Sequence, residues 1–427
     1  MAAIGVATAM ALSSCSTPAS TPTATGALET PTQPTTITFW NGFTGPDGDA
    51  LKARVDAFNK SQSMVTVDMT IMPWDVLGQK LLPALGAHQS PNIAVSGVES
   101  IRQEATAGAF ASIDEFYNEW DQADQAAIFP DAIGTYDGHH WSVPMTWSPT
   151  LCYYNKTLFT DAGLDPNKPP VTWDEFAADA KAMTKDLSGD GKPDQYGFVL
   201  PDHTAPAIWE MLMWSNGGGT VSQDGTQVTI ADQKSIDAVN YWSQLLIQDQ
   251  ISPAGISGPD ADALFSSGKV GMLVEGPWMI NGFKDAGLDF GVTGVPQGTA
   301  GSFAVANSNQ FFISNDTMQD PNQKAAVWEF LKFWNSKDNQ IQWSVTSGNP
   351  PTRSDITAAD VAANPDMAAF LPFQATTRVF LPNQPSFGDT NTIYENAMQQ
   401  ITGGKGTPEA IMTDAAAAIQ KLLDAAQ

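Results

Sequence analysis

The sequence predicts an α/β protein of two lobes, and three observations carry that reading. The chain has 427 residues, more than one ordinary domain and enough for two of roughly 150–200 residues each. It is 42% hydrophobic, with 21 Phe and 13 Trp, so it holds the material for two cores. From Ile37 to Gly97, strand and helix signals alternate, which requires parallel strands joined by crossover helices.

The elements follow in order. Ile37–Trp40 reads as a strand ending in the turn Asn41–Gly45, and Gly48–Lys60 carries Leu51, Val55 and Phe58 at helical spacing. Val65–Ile71 alternates as a second strand and stops at Pro73-Trp74; Leu77–Leu85 is a short helix; Ile93–Val95 is a third strand, ending at Gly97-Val98-Glu99. Open sheets of this kind bind ligands at the carboxyl ends of their strands. Trp40, Trp74 and Glu99 each stand at such an end and are the first candidate site residues.

Trp141–Phe159 is apolar and β-branched but interrupted by Pro144 and Pro149. Proline confines it to an edge or a crossing segment. Trp147, between the prolines and beside Ser148, reads either as a binding surface or as part of a buried strand. Further on, Thr172 and Glu175 form a capping box. Asp186, Ser188, Asp190, Lys192 and Asp194 alternate around Gly191 like the start of a calcium loop, although Gly197 occupies the position where such loops carry a bidentate Glu. That pattern leaves a structural Ca²⁺ or a plain Asp/Gly turn. Residues 205–218 form a helix that includes Trp214 and stops at Asn216-Gly217-Gly218. Helices are expected over 233–249, 323–334 and 408–426, and Val270–Glu275 is a buried strand that ends in Gly-Pro and presents Trp278.

Charge narrows the function. The chain has 20 Lys+Arg against 46 Asp+Glu, a net charge of −26. Phosphate binding calls for a basic face, so nucleic acid is excluded as a partner and a neutral ligand is favoured over an anionic one. Two cysteines, Cys15 and Cys152, imply no disulfide framework. Residues 1–14 are uncharged, small and apolar, an export signal too short to span a bilayer as a mature helix. No Lys or Arg precedes the apolar run, which leaves open a start further upstream. Leu12-Ser13-Ser14-Cys15 resembles the bacterial lipobox, with Cys15 as the lipidation site. Residues 15–35, rich in Ser, Thr and Pro, then read as a disordered tether. The folded part is expected outside the cytoplasm, held to the membrane by lipid at Cys15.

Six features occur in one order: FWNGF at 39–43, YYNKTLF followed by PPVTWDEF across 153–176, GDGKPDQYGF at 189–198, WSNGG at 214–218, GMLVEGPWM at 271–279 and GNPPTR at 348–353. Together they resemble the extracellular solute-binding proteins of ABC sugar importers, the family that includes maltose-binding protein. The resemblance runs from about residue 36 to the C-terminus. It implies a type II periplasmic-binding-protein-like fold: two discontinuous α/β lobes joined by a hinge around a central cleft. Lobe one would hold 36–147 and 299–349, and lobe two 148–298 and 350–427. It further implies a monomer that captures a mono- or oligosaccharide for the membrane permease, with no cofactor and no catalysis.

The resemblance maps a sugar-stacking role onto Trp278 and ligand contacts onto Trp40, Asn41, Trp74 and Glu99. Trp147 and Ser148 fall in the crossing segment, where maltose-binding protein has a carboxylate. Asn216, Glu275, Gln310 and Arg353 are candidates for binding hydroxyls, with Trp214 and Trp343 as further aromatic candidates; Glu275 and Arg353 read equally as a lobe-stabilising pair or as solvated charges. A non-sugar solute such as a glycerophosphodiester is an alternative that would need a basic cluster or a helix N-terminus. An extracytoplasmic glycan hydrolase would need two opposed carboxylates, with Glu99 and Glu275 in those roles. The four histidines show no metal-ligand spacing, and no nucleophile-elbow, zinc-protease or phosphate-loop sequence is present.

Overall fold

A computed structural model describes residues 30–44, 46–108 and 110–426. Cys15 and the signal segment lie outside them, as does most of the tether. Two sheets organise the chain. The first has five strands in the order Val65–Ile71, Thr35–Asn41, Ile93–Gly97, Asn309–Ile313, Val143–Pro144. The first three pair in parallel through the expected crossover helices, and the last two join antiparallel. The second sheet has the order Phe290–Thr293, Leu151–Asn155, Val270–Glu275, Tyr196–Val199.

Each sheet has its own core. Phe39, Phe311, Phe330 and Trp334 pack on the first at tilted to edge-on angles, with the helix Pro321–Trp334 supplying the last two. On the second, Trp209, Trp242 and Phe198 form one face with the C-terminal helices Phe387–Thr402 and Pro408–Ala425, while Tyr153, Phe265, Phe283 and Phe370 fill the other. Sheets covered on both faces explain why so much of the chain reads as apolar. Among the described residues, no helix is long and apolar enough to cross a membrane.

Between the sheets lies a three-stranded ribbon. Ala304–Asn307 pairs antiparallel with Ser148–Pro149 and parallel with Thr377–Arg378. The chain therefore passes from one sheet to the other at Ser148–Pro149 and returns at Ala304–Asn307, not at residue 299. The reason is local: the turn 298–301 is held to the second sheet's side, where the Ala300 N–H donates to the Ser215 carbonyl at 2.8 Å. Likewise residues 350–353 stay with the first lobe, since Thr352 N–H donates to Gln340 Oε1 at 2.9 Å and the Arg353 guanidinium to the Asn335 carbonyl at 2.8 Å.

Local signals read from sequence hold in atomic detail. Thr172 Oγ1 accepts from the Glu175 N–H at 3.3 Å, and Glu175 Oε2 accepts from the Thr172 N–H at 3.0 Å. The helix Ala207–Ser215 ends with Asn216 and then Gly217 at φ 83°, a left-handed position suited to glycine. Lys337–Ser347, which contains Trp343, is a helix that the sequence pattern did not suggest.

Candidate functional site

Three strand ends converge on one cavity of about 720 Å³. The strand Val65–Ile71 runs out at Pro73, and Trp74 opens the next helix; Ile93–Gly97 gives way to the single turn Val98–Ser100 carrying Glu99; Val270–Glu275 ends at Gly276-Pro277 and puts out Trp278. Trp74 and Trp278 are 44% and 43% exposed, the two most open tryptophans among the described residues. One comes from each lobe, and both line the cavity. Phe43 backs Trp74 edge-on, with ring centroids 5.4 Å apart.

The rest of the wall mixes apolar residues, among them Leu77, Leu81, Phe380 and Phe387, with polar ones. From the first lobe come Asp47, Ser96, Glu99, Ser100 and Glu104, and from the ribbon and its end Asn307, Ser308 and Asn309, with Asn349 beside them. Ser96 Oγ lies 2.9 Å from Ser100 Oγ and 3.4 Å from Glu104 Oε1. Glu104 is buried, and its Oε2 has no hydrogen-bond partner among the described residues. Burial pushes the Glu104 carboxyl up to about 7, against the opposing pull of the Ser96 hydroxyl. Burial likewise raises Glu99 above its ordinary range.

Trp278 also walls an adjoining chamber of about 360 Å³, which shares Val305, Ala306 and Asn307 with the main cavity. Glu275 and Asp262 line this chamber together. Both carboxyls are raised, chiefly by burial and, for Glu275, by the Asp262 charge next to it. Glu275 Oε1 accepts from the Gly276 N–H at 2.7 Å, and its carboxylate is bonded by the Trp278 side chain, so it orients the indole as well as lining the chamber.

Of the residues singled out from sequence, Trp74, Glu99 and Trp278 thus meet in the cavity, and Glu275 stands next door. The others lie elsewhere. Trp40 packs against the cluster of Leu81, Leu85 and Phe110 because its side chain faces the helix side of the sheet. Asn41 is buried, with Oδ1 accepting from the Phe43 N–H at 3.2 Å, and so shapes the turn that carries Phe43. Trp147, expected at the cleft floor, is fully buried: its indole N–H donates to the Gln374 carbonyl at 3.2 Å, and Gln374 Nε2 donates back to the Trp147 carbonyl at 3.2 Å. Ser148 sits behind the wall, donating to Asn349 Oδ1 at 3.2 Å.

Trp214 is buried and lines a separate chamber with Arg378. Asn216 caps a local turn, bonded to the Lys234 carbonyl at 2.8 Å and Thr299 Oγ1 at 3.0 Å. Gln310 is wholly interior, holding Ser142, Ala132 and Ser308. Trp343 is core, against Phe43 and Trp334. Arg353 forms a two-pronged pair with Asp355, both bonds 2.9 Å, and a 2.7 Å bond to Asp124; it is a structural pair, with Asp124 and Asp355 in place of Glu275.

In the loop that resembles a calcium site, Asp186 accepts from the N–H groups of Gly189, Asp190 and Gly191, and Asp194 from those of Leu187 and Ser188. The Gly191 bond, first among these, holds the Asp186 carboxyl below its ordinary value. The side chains close a turn on themselves, and no cluster of three or more His, Cys, Asp or Glu among the described residues is arranged to hold a metal ion.

Sequence reading missed Ser96, Ser100, Glu104, Asn307 and Asn309. A signal existed for some of them: Ser100 and Glu104 are one helical turn apart, and Asn307 and Asn309 flank Ser308 in an otherwise apolar run.

Comparison with known proteins agrees with this geometry. A family model described as bacterial extracellular solute-binding protein matches residues 53–369. A candidate binding protein of Brucella abortus (strain 2308) is 29% identical over 401 residues, covering 91% of this chain and 92% of its own. The sn-glycerol-3-phosphate-binding periplasmic protein of Brucella melitensis is 25% identical over 334 residues, 74% of each chain. The crystal structure of the cyclic alpha-maltosyl-1,6-maltose binding protein from Arthrobacter globiformis superposes with a TM-score of 0.79 at 24% identity, over 91% of this chain and 99% of that one. The chain belongs to the bacterial extracellular solute-binding protein family and has its two-lobed, type II periplasmic-binding-protein fold.

Proposed function

We propose that this protein captures a mono- or oligosaccharide in the cleft between its lobes and delivers it to the membrane permease of an ABC importer. It works outside the cytoplasm as a monomer, tethered by lipid at Cys15, and performs no chemistry on its ligand. The first lobe comprises residues 36–147 with about 308–353, the second about 150–303 with the remainder, and the ribbon between them serves as the hinge.

One observation carries this reading: two open indoles, one from each lobe, face a cavity whose wall also carries hydroxyls, amides and carboxylates among apolar residues such as Leu77 and Phe387. A sugar ring is apolar on its faces and polar at its rim, so it suits that surface. Stacking one face on an indole covers roughly 60–80 Å², worth about 1.5–2 kcal/mol at ~25 cal/mol per Å². Micromolar affinity needs about 8 kcal/mol, and hydrogen bonds to the hydroxyls supply the remainder once closure expels water.

The sn-glycerol-3-phosphate-binding relative raises a phosphate ester as the competing ligand. The cavity lining speaks against it. Asp47, Glu99 and Glu104 are its charged residues, and no Lys, Arg or His is among the described ones. A phosphate would be placed against the carboxyls of Glu99 and Glu104. Calorimetry against a glycan panel with glycerol 3-phosphate alongside tests the choice. Binding of a saccharide and none of the phosphate is expected; the reverse, or no carbohydrate bound, overturns the proposal.

A further inference from the structure

The chamber beyond Trp278 sets two carboxyls side by side. Asp262, on the helix Gly258–Ser266, and Glu275, at the end of the strand Val270–Glu275, both line it and lie within hydrogen-bonding reach of each other. No Lys, Arg or His lines this chamber among the described residues. Asp262 Oδ1 is sealed from solvent and meets no hydrogen-bond donor among them. Two carboxyl groups bond to one another only through a proton, and two like charges buried together are costly.

The charged and titratable groups around the pair are engaged elsewhere. From the adjoining strand, the Tyr153 hydroxyl donates to the Gly276 carbonyl at 2.7 Å. Asp260, on the Asp262 helix, accepts from Ser257 Oγ at 2.6 Å. Lys284, on the helix Ile280–Asp285, is paired with Asp366, and His203 Nδ1 lies 2.7 Å from Asp202. Glu275 in turn holds the seat of Trp278. Its Oε1 accepts from the Gly276 N–H at 2.7 Å, and Gly276 lies directly against the indole. The Trp278 side chain donates to the same carboxyl.

We infer that Asp262 and Glu275 share a single proton, and that Asp262 is a positioning residue for the ligand-stacking indole, acting through Glu275 and Gly276. The shared proton ties Glu275 to Asp262 while Oε1 stays on the Gly276 N–H. Its loss sets two negative charges against each other, so Glu275 turns away from Asp262 and the indole loses its fixed attitude. Burial raises both carboxyls, and the pair therefore keeps its proton well above the ordinary carboxylate range. This rests on the saccharide reading only in taking Trp278 as a ligand contact.

The test reads the coupling without ligand. Emission of the full chain, less that of Trp278→Phe, isolates the Trp278 contribution. It is followed from about pH 5 to 9.5, with circular dichroism to show that the fold persists. A one-proton step well above the ordinary carboxylate range is expected, with this emission moving to the red as the ring loosens. Asp262→Asn and Glu275→Gln each replace the shared proton with an amide N–H that does not titrate. Each should keep the low-pH spectrum and abolish the step; should one misfold, the other gives the same readout. No step in the wild type, or a step that persists in the folded variants, overturns the inference. A failed sugar panel leaves this step untouched, and a missing step leaves the saccharide reading intact, so the two fail separately.

Discussion

Gly276 lies directly beneath the indole of Trp278: a Cβ added to it would come within 2.0 Å of Cη2 and Cζ3. The same relation recurs twice. A Cβ on Gly42 would meet Cδ2 of Trp74 at 2.0 Å, and one on Gly97 would meet Oε1 of Glu99 at 2.0 Å. All three side chains that converge on the cavity are thus seated on a glycine. At Gly276 and Gly97 φ is −87° and −74°, so the need is for space and not for a left-handed backbone.

Gly276→Ala and Gly97→Ala therefore separate binding from folding. Each must push aside the outer end of one side chain, which leaves the core untouched but moves a ligand contact. We expect ligand affinity to fall by about tenfold, or ~1.4 kcal/mol, with the unfolding temperature nearly unchanged. Equal affinity in both variants would show that neither side chain needs its present position.

The tryptophans divide by the same measurements. Trp74→Ala and Trp278→Ala should each weaken binding by at least ~1 kcal/mol with little loss of stability, since both rings are substantially open to solvent. Trp343→Ala should do the opposite. That ring is fully buried between Phe43 and Trp334, and its removal should cost about 3–5 kcal/mol of stability. Chemical denaturation paired with calorimetry distinguishes the two groups.

Glu210 gives the fold a pH dependence with a definite sign. It is buried, accepts from the Thr220 N–H at 2.9 Å and from Thr220 Oγ1 at 2.6 Å, and burial pushes its carboxyl up to about 7. The folded state then holds a proton that the unfolded state releases near 4.5. Its contribution is fully present below about 4.5 and is lost as pH rises through 7. The stability of the wild type relative to Glu210→Gln should accordingly fall by roughly 3 kcal/mol between pH 4.5 and 8. A pH-independent difference in denaturation midpoints would contradict this.

Gln374 ties the crossing segment to a distant part of the chain. Its Nε2 donates to the carbonyls of Trp147 at 3.2 Å and Pro351 at 2.6 Å, all within the interior. Gln374→Ala leaves two buried acceptors without that donor, and stability should drop by about 2–3 kcal/mol. Gln374→Glu should do worse near neutral pH, because a carboxylate offers acceptors where the site has only acceptors.

The alternation of strands and helices from Ile37 to Gly97 was readable because each element there carries its own period, and the capping box at Thr172 and the stop at Gly217 are local chemistry. The Trp74, Glu99 and Trp278 positions were legible for a related reason: each immediately follows a parallel strand. Trp147 and Trp343 were not. Their burial depends on Gln374 and Phe43, far away in sequence, and an indole between prolines reads the same whether it faces ligand or core. Arg353 misled similarly, because its partners Asp124 and Asp355 show only in the folded chain. Glu104 stands on the short helix Ile101–Thr106, beyond the alternation that ends at Gly97, and carries no sequence signal of its own; its place in the cavity wall shows only in the fold.

The distribution of indole exposure has an optical consequence. Most of the thirteen tryptophans are sealed in the two cores, where water does not reach them and a ligand does not change their surroundings. The two most open ones border a single cavity from opposite sides. Their emission should be the red-shifted part of the spectrum, and closure over a ligand should move that part toward the blue while the buried emission stays constant. The protein thus carries its own fluorescent reporter, and occupancy can be followed without a label.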